Sequence, residues 1–197
     1  QEGFGIFQLT TKDGQRWSAS RAYLTPALSR PNLKVEVEAQ ITRVLFEGSR
    51  AVGVEYRQAG QTIKKRAARE VVLSCGAVNT PQMLLLSGIG DAAYLRRFDI
   101  PVVADRPGVG QNLQDHLDVN VQYDCTQPVT SYGQVANPLL LLGVGLQYMM
   151  FGTGHGRSQG LESGACIKSR AELDAPDLQL HLFNGPFSGH GRKVLRK

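Results

Sequence analysis

The chain has 197 residues, 42 % of them hydrophobic, and 22 basic against 17 acidic residues give it a net charge of +5. That apolar content excludes a disordered chain and allows one large domain or parts of two. The mild positive charge gathers at Lys64-Lys65-Arg66 with Arg69 and in the run Arg192 to Lys197, neither interleaved with aromatics, so nucleic acid is not an expected partner.

The opening Gly3 to Thr10 alternates as a strand, and Asp13-Gly14 marks a hairpin turn. A short helix is expected over Ser20 to Leu28, capped by Ser18 or Ser20 and closed before Pro31. Leu33 to Val37 reads as a strand. Ile41 to Phe46, Ala51 to Arg57 and Thr62 to Ala67 then form an antiparallel meander, turning at Glu47-Gly48-Ser49 and Ala59-Gly60-Gln61. The meander is expected between two strands of a parallel sheet, the second being Val71 to Ser74. Thr80 and Pro81 signal a helix start, with an apolar run to Leu86 and a stop at Gly88. A second helix follows from Asp91 to Phe98, then a loop from Asp105 to His116, then a strand from Leu117 to Tyr123.

Leu139 to Phe151 is an apolar helix, shorter than the ~20 residues of a membrane span, and is read as a buried or lid helix. An interfacial membrane contact stays compatible with it but is not indicated. After a glycine-rich linker, Gly152 to Gly156, strands are expected near Glu162 to Lys168 and Leu178 to Phe183. The fold class is therefore α/β, α+β overall, with a boundary near residues 116 and 117: an α/β part over 1–116 and an unfinished antiparallel part over 117–197. The chain begins with Gln1 and ends in a basic run with no stop signal, so it reads as an internal piece of a longer chain.

Cys75, Cys125 and Cys166 are far apart, with no metal-ligand spacing, so no metal site is expected; they read as three buried thiols in a reducing, cytoplasmic compartment. No glycine-rich dinucleotide motif, Walker loop, Ser/His/Asp triad or usefully spaced carboxylate pair is present. His116 reads as a junction residue. In Leu178 to Phe183 the leucines share one face, and Gln179, His181 and Phe183 the other, so His181 faces solvent or a pocket. Glu162 is a lone acid among small and apolar residues.

Gly76-Ala77-Val78-Asn79-Thr80-Pro81-Gln82-Met83-Leu84-Leu85-Leu86-Ser87-Gly88-Ile89-Gly90 resembles the second signature of the glucose–methanol–choline (GMC) flavoprotein oxidoreductases. Pro107-Gly108-Val109-Gly110-Gln111-Asn112-Leu113-Gln114-Asp115-His116 is similar to a second element of that family, and the resemblance runs from about Gly3 to His190, nearest the choline and alcohol dehydrogenase branch. It implies part of a Rossmann-like FAD-binding domain with the meander inserted, and part of an antiparallel-sheet substrate domain. It implies FAD as cofactor and a small-molecule alcohol, choline-like or another primary alcohol, oxidised at its CH–OH group by hydride transfer to flavin N5. The Ile41 backbone would meet the adenine, and Ser74-Cys75-Gly76-Ala77 would lie beside the adenosine. Glu162 matches an acid that holds a trimethylammonium group, and His181 matches a pocket histidine in Pro176-Asp177-Leu178-Gln179-Leu180-His181.

The resemblance places the family's glycine-rich unit before Gln1 and its catalytic base beyond Lys197, so no catalytic residue is expected in this chain. The chain alone is expected neither to hold FAD tightly nor to turn over alcohols. The rival readings are a non-catalytic binding or interaction domain and one half of a split flavoenzyme. The sequence selects no particular alcohol, electron acceptor or oligomeric state.

Overall fold

A computed structural model describes residues 2–123, 125–127, 130, 132–158, 160–161, 163–183, 187–188 and 193–194. In chain order the elements are β1 (Gly3–Ile6), β2 (Thr11–Lys12), β3 (Gln15–Arg16), a π-helical turn (Ser20–Leu24) running into α1 (Thr25–Ala27), β4 (Gln40–Glu47), β5 (Arg50–Gln58), β6 (Gln61–Arg66) and α2 (Gly76–Leu86). There follow β7 (Ile89–Gly90), α3 (Ala92–Arg96), β8 (Ala104–Asp105), α4 (Tyr132–Ala136), α5 (Pro138–Phe151), a 3-10 turn (His155–Arg157), β9 (Ser163–Ile167), β10 (Leu178–Leu182), β11 (Phe187–Ser188) and β12 (Lys193–Val194). Contacts divide the chain into two units: Lys34–Asp118, and Gln1–Leu33 with Val119–Lys197.

In the unit Lys34–Asp118, β4, β5 and β6 form the expected meander. Its tight turns need left-handed backbone, and Gly48, Ala59 and Gly60 supply it with φ of 59°, 48° and 78°. Val44, Val52 and Tyr56 bury its inner face. The β4–β5 register slips between Ile41 and Arg43, which leaves Thr42 as the extra residue of a bulge. The Thr42 hydroxyl stays in the sheet by donating to the Glu55 carbonyl at 3.1 Å.

Helix α2 packs on the edge strand β4. The buried Ser87 just past its end joins the two: its Oγ accepts from Val44 N at 2.8 Å and donates to Met83 O at 2.6 Å. Gly88, at φ 86°, lets the chain turn against Pro101 and Val103, where a side chain would collide with the Pro101 carbonyl. The strands that follow, β7 and β8, pair in parallel. Asp91 caps α3, its side chain accepting from Tyr94 N at 2.7 Å, and Leu95 below it is fully buried.

Three expected strands do not form. Residues 33–37, 71–74 and 117–123 pair with no described strand. Their apolar pattern specifies an extended chain, but only a hydrogen-bonding neighbour turns an extended chain into a strand. The parallel sheet thus shows among the described residues as β7 and β8 alone. Helix α2 also begins four residues before the expected cap at Thr80 and takes Pro81 into its interior. The Thr80 hydroxyl instead accepts from Cys75 N at 3.0 Å, which braces the turn that leads in.

In the unit Gln1–Leu33 with Val119–Lys197, β2 and β3 form the expected hairpin, with Asp13 and Gly14 at φ 52° and 73°. Strand β9 is central in an antiparallel sheet of order β1-β9-β10. The cap of α5 is Asn137, whose side chain accepts from Leu139 N at 3.0 Å; Pro138 opens the helix and the left-handed Gly152 closes it. None of its side chains is buried, which overturns the buried alternative of the expected buried or lid helix: Leu139 is 79 % and Met149 82 % exposed. Its main packing partners among the described residues are α4 and the 3-10 turn. Tyr148 of α5 donates its hydroxyl to Gly14 O at 3.1 Å, fixing the hairpin to the helix. Among the described residues no helix is long and apolar enough to cross a membrane.

Candidate functional site

The expected adenosine-side residues sit in the unit Lys34–Asp118. Ile41 is half-buried on β4, directly before the Thr42 bulge, with Tyr56 opposite it on β5. A bulge re-aims the backbone beside it, so the sequence around Thr42 decides how Ile41 presents its peptide groups. Ser74, Cys75, Gly76 and Ala77 are all exposed at the entry to α2. Gly76 holds φ 89°, and nothing lies within 4 Å of where a side chain would start. Cys75, the residue before α2, makes no side-chain cap, so the first amides of this 11-residue helix stay open to a ligand. Open backbone at a glycine, beside uncapped amides, fits the adenosine portion of a dinucleotide.

Charge ties the meander together beside Ile41. Arg43 clasps Glu55 through Nε at 3.2 Å and Nη2 at 3.0 Å, and Thr42 donates to the same carboxylate at 3.1 Å. Lys64 approaches it from β6 at 3.9 Å. The Arg43 hydrogen bond, followed by that from Thr42, holds the Glu55 carboxyl below the usual range despite partial desolvation. Arg66 is likewise paired, with Glu47 at 2.7 Å. The charge of Lys65 acts on Glu36, so all three cations of the basic cluster at 64–66 face acids of this chain.

The expected substrate-side residues fall on the other unit. Cross-strand register places Gly5, Gly164 and His181 in one row across β1, β9 and β10, and Gly3, Cys166 and Gln179 in the next row on the same face. His181 lies on the face opposite Leu178, Leu180 and Leu182, as its alternation predicts. It is exposed and has no hydrogen-bond partner among the described residues; its ring packs on Phe7 at 5.2 Å between centroids. Glu162 lies outside the described residues.

Asp177, four residues before His181, has a structural role that sequence reading missed. Its carboxylate accepts from Ser169 N and from Ser169 Oγ, both at 2.7 Å, which clamps the ends of the β9–β10 connection. The Ser169 hydroxyl, then its amide, pulls the Asp177 carboxyl below its ordinary range. The clamp fixes the register that sets His181 opposite Gly164. Spacing to the histidine was the available signal; Ser169 was not, because it lies on the far side of a turn.

The three cysteines are free. Cys75 and Cys125 are exposed and Cys166 half-buried, which corrects the expectation of three buried thiols: the two exposed ones lie outside any described helix or strand. No group of side chains suited to a metal occurs among the described residues. His116 is exposed, its amide donating to Asp115 Oδ1 at 2.8 Å. Two open clefts, one around Tyr23 and Leu24 and one around Tyr94 and Arg97, are lined by none of the expected site residues.

The family model for GMC oxidoreductase matches residues 1–118. The chain is 52 % identical over 193 residues to mitochondrial choline dehydrogenase of Mus musculus, covering 98 % of this chain and 32 % of the relative. It is 48 % identical over 182 residues to oxygen-dependent choline dehydrogenase of Brucella canis, covering 92 % of this chain and 33 % of that protein. Among solved structures it matches formate oxidase of Aspergillus oryzae, described in a study of its FAD modification, at 25 % identity and a TM-score of 0.75 over 89 % of this chain and 34 % of that one. A fungal aryl-alcohol oxidase matches at 27 % identity and a TM-score of 0.73, over 85 % and 30 % of the two chains. The chain spans about a third of the length of the curated relatives it matches.

Proposed function

Because this chain belongs to the GMC oxidoreductase family, we propose that it supplies the adenosine side of an FAD site and the substrate-facing sheet of an enzyme that oxidises a primary alcohol, choline first among the candidates. The observation that carries the reading is the open, uncapped entry to α2 at Gly76, inside the signature stretch. The Ile41 backbone and Ser74 to Ala77 would hold the adenosine portion. FAD, when bound, supplies the acceptor for the hydride that leaves the alcohol carbon.

The residues of this chain bind and orient. His181 offers both ring nitrogens and would donate a hydrogen bond to the substrate oxygen as its proton leaves, which favours negative charge there. Glu162 would hold a quaternary ammonium group, which carries charge but no donors and is therefore recognised by a carboxylate at close range. No base for the hydroxyl proton is assigned within the chain. Residues 34–116 would serve FAD, and residues 117–197, with the strand β1 that pairs on β9, the substrate. Three free thiols suit a reducing compartment such as the cytoplasm.

The test compares choline with 3,3-dimethylbutan-1-ol, its uncharged isostere, on the complete gene product and its Glu162→Gln variant. The reading expects KM for choline to rise roughly tenfold or more, with KM for the neutral alcohol nearly unchanged. Equal effects on both alcohols would remove Glu162 from cation recognition.

A further inference from the structure

We propose that Phe7 is a positioning residue that sets the orientation of the His181 imidazole; the inference rests on the substrate role given to His181 above. His181 has no hydrogen-bond partner among the described residues, so no polar contact there fixes the rotation of its ring. What touches the ring is Phe7, with centroids 5.2 Å apart and planes inclined at 53°. That tilted arrangement lies within the centroid separations at which aromatic rings attract one another.

The backbone around the pair makes room for it. Gly5, Gly164 and His181 form one cross-strand row, so two of its three positions carry no side chain. Phe7 stands two residues past Gly5 and, by the period of a strand, on the same face. Its ring lies over Gly164, where even a methyl group would run into the ring and into the Leu180 carbonyl. Phe7 is half-buried although the neighbouring Phe4 and Ile6, on the opposite face, are 82 % and 86 % exposed. An aromatic side chain thus crosses a bare strip of backbone and ends on the imidazole. The contact leaves both nitrogens of His181 free for a ligand while restricting how the ring can turn.

A double-mutant cycle tests this in the complete, flavin-loaded gene product with choline as the probe. Phe7→Leu is expected to lower kcat/KM roughly two- to tenfold, the range of a measured aromatic pair, while Phe7→Tyr, which keeps the ring, stays within about twofold. In a His181→Asn background Phe7→Leu is expected to cost nothing further, because the group it orients has gone. Flavin absorbance should be the same in all variants. If Phe7→Leu costs the same in both backgrounds, Phe7 does not act through His181 and the inference is overturned. If His181→Asn alone leaves kcat/KM unchanged, the substrate role of His181 fails first and the positioning role with it. Should Phe7→Leu fail to load flavin, the His181 ring-proton resonances of Phe7→Met decide: a shift on loss of the neighbouring ring supports the contact, and unchanged resonances overturn it.

Discussion

Ser87 shows how much one buried hydroxyl can decide. It serves the edge of the meander and the end of α2 at once, through Val44 N and Met83 O. Replacement by alanine would leave the Val44 amide buried without an acceptor, so Ser87→Ala is expected to lower stability by about 1–3 kcal/mol, read as a lower midpoint in urea unfolding. An unchanged midpoint would mean that water replaces the hydroxyl. The family signature is thereby divided by physics. Gly76 faces open space, whereas Ser87, Gly88 and Gly90 are buried at a junction. The sequence made the stretch visible but not the division, because Val44 lies 43 residues from Ser87. The role of Phe7 is hidden for the same reason, since it comes from strand pairing between distant parts of the chain, whereas Ser169 meets Asp177 across the nearby β9–β10 connection.

Among the elements, the meander was readable because each of its turns carries a local signature and each strand keeps its alternation. The segments 33–37 and 117–123 alternate as well, and 71–74 opens on three apolar residues, yet none of them pairs with a described strand, and periodicity cannot report which strand lies beside an extended segment. Charge adds a pH dependence to the meander. The folded-state pKa of Glu55 is lowered, chiefly by Arg43, so its stabilising contribution is present above the unfolded carboxylate value of about 4.3 and is lost as pH falls through the lower folded value. Acid unfolding of Glu55→Gln should therefore start from a lower stability at neutral pH and fall less steeply below about pH 4 than that of the unaltered protein. Parallel curves would show that the Arg43 and Lys64 contacts contribute nothing in solution.

For the molecule as a whole, burial is uneven. Among the described residues the buried hydrophobic side chains are Val44, Val52, Tyr56, Met83, Leu95 and Ala165, five of them in the unit Lys34–Asp118. Large side chains such as Leu117, Tyr123, Leu139 and Met149 stand open. Exposed apolar surface of this kind calls for a covering partner. The isolated 197-residue chain is accordingly expected to self-associate and to lose added FAD on gel filtration, and a monomer that elutes with flavin would contradict this. Family membership was legible from two short stretches through their resemblance to elements of the family. The substrate was not legible to the same degree, since the proposal for it rests on Glu162 and His181 alone.

The central claim is that these residues belong to an alcohol-oxidising flavoprotein, and anaerobic mixing of the purified, complete gene product with choline tests it most directly. The account predicts that the oxidised-flavin absorbance disappears on mixing, with one aldehyde formed per flavin reduced. A protein that carries no flavin, or a flavin that stays oxidised with choline and with a panel of other primary alcohols, would contradict it.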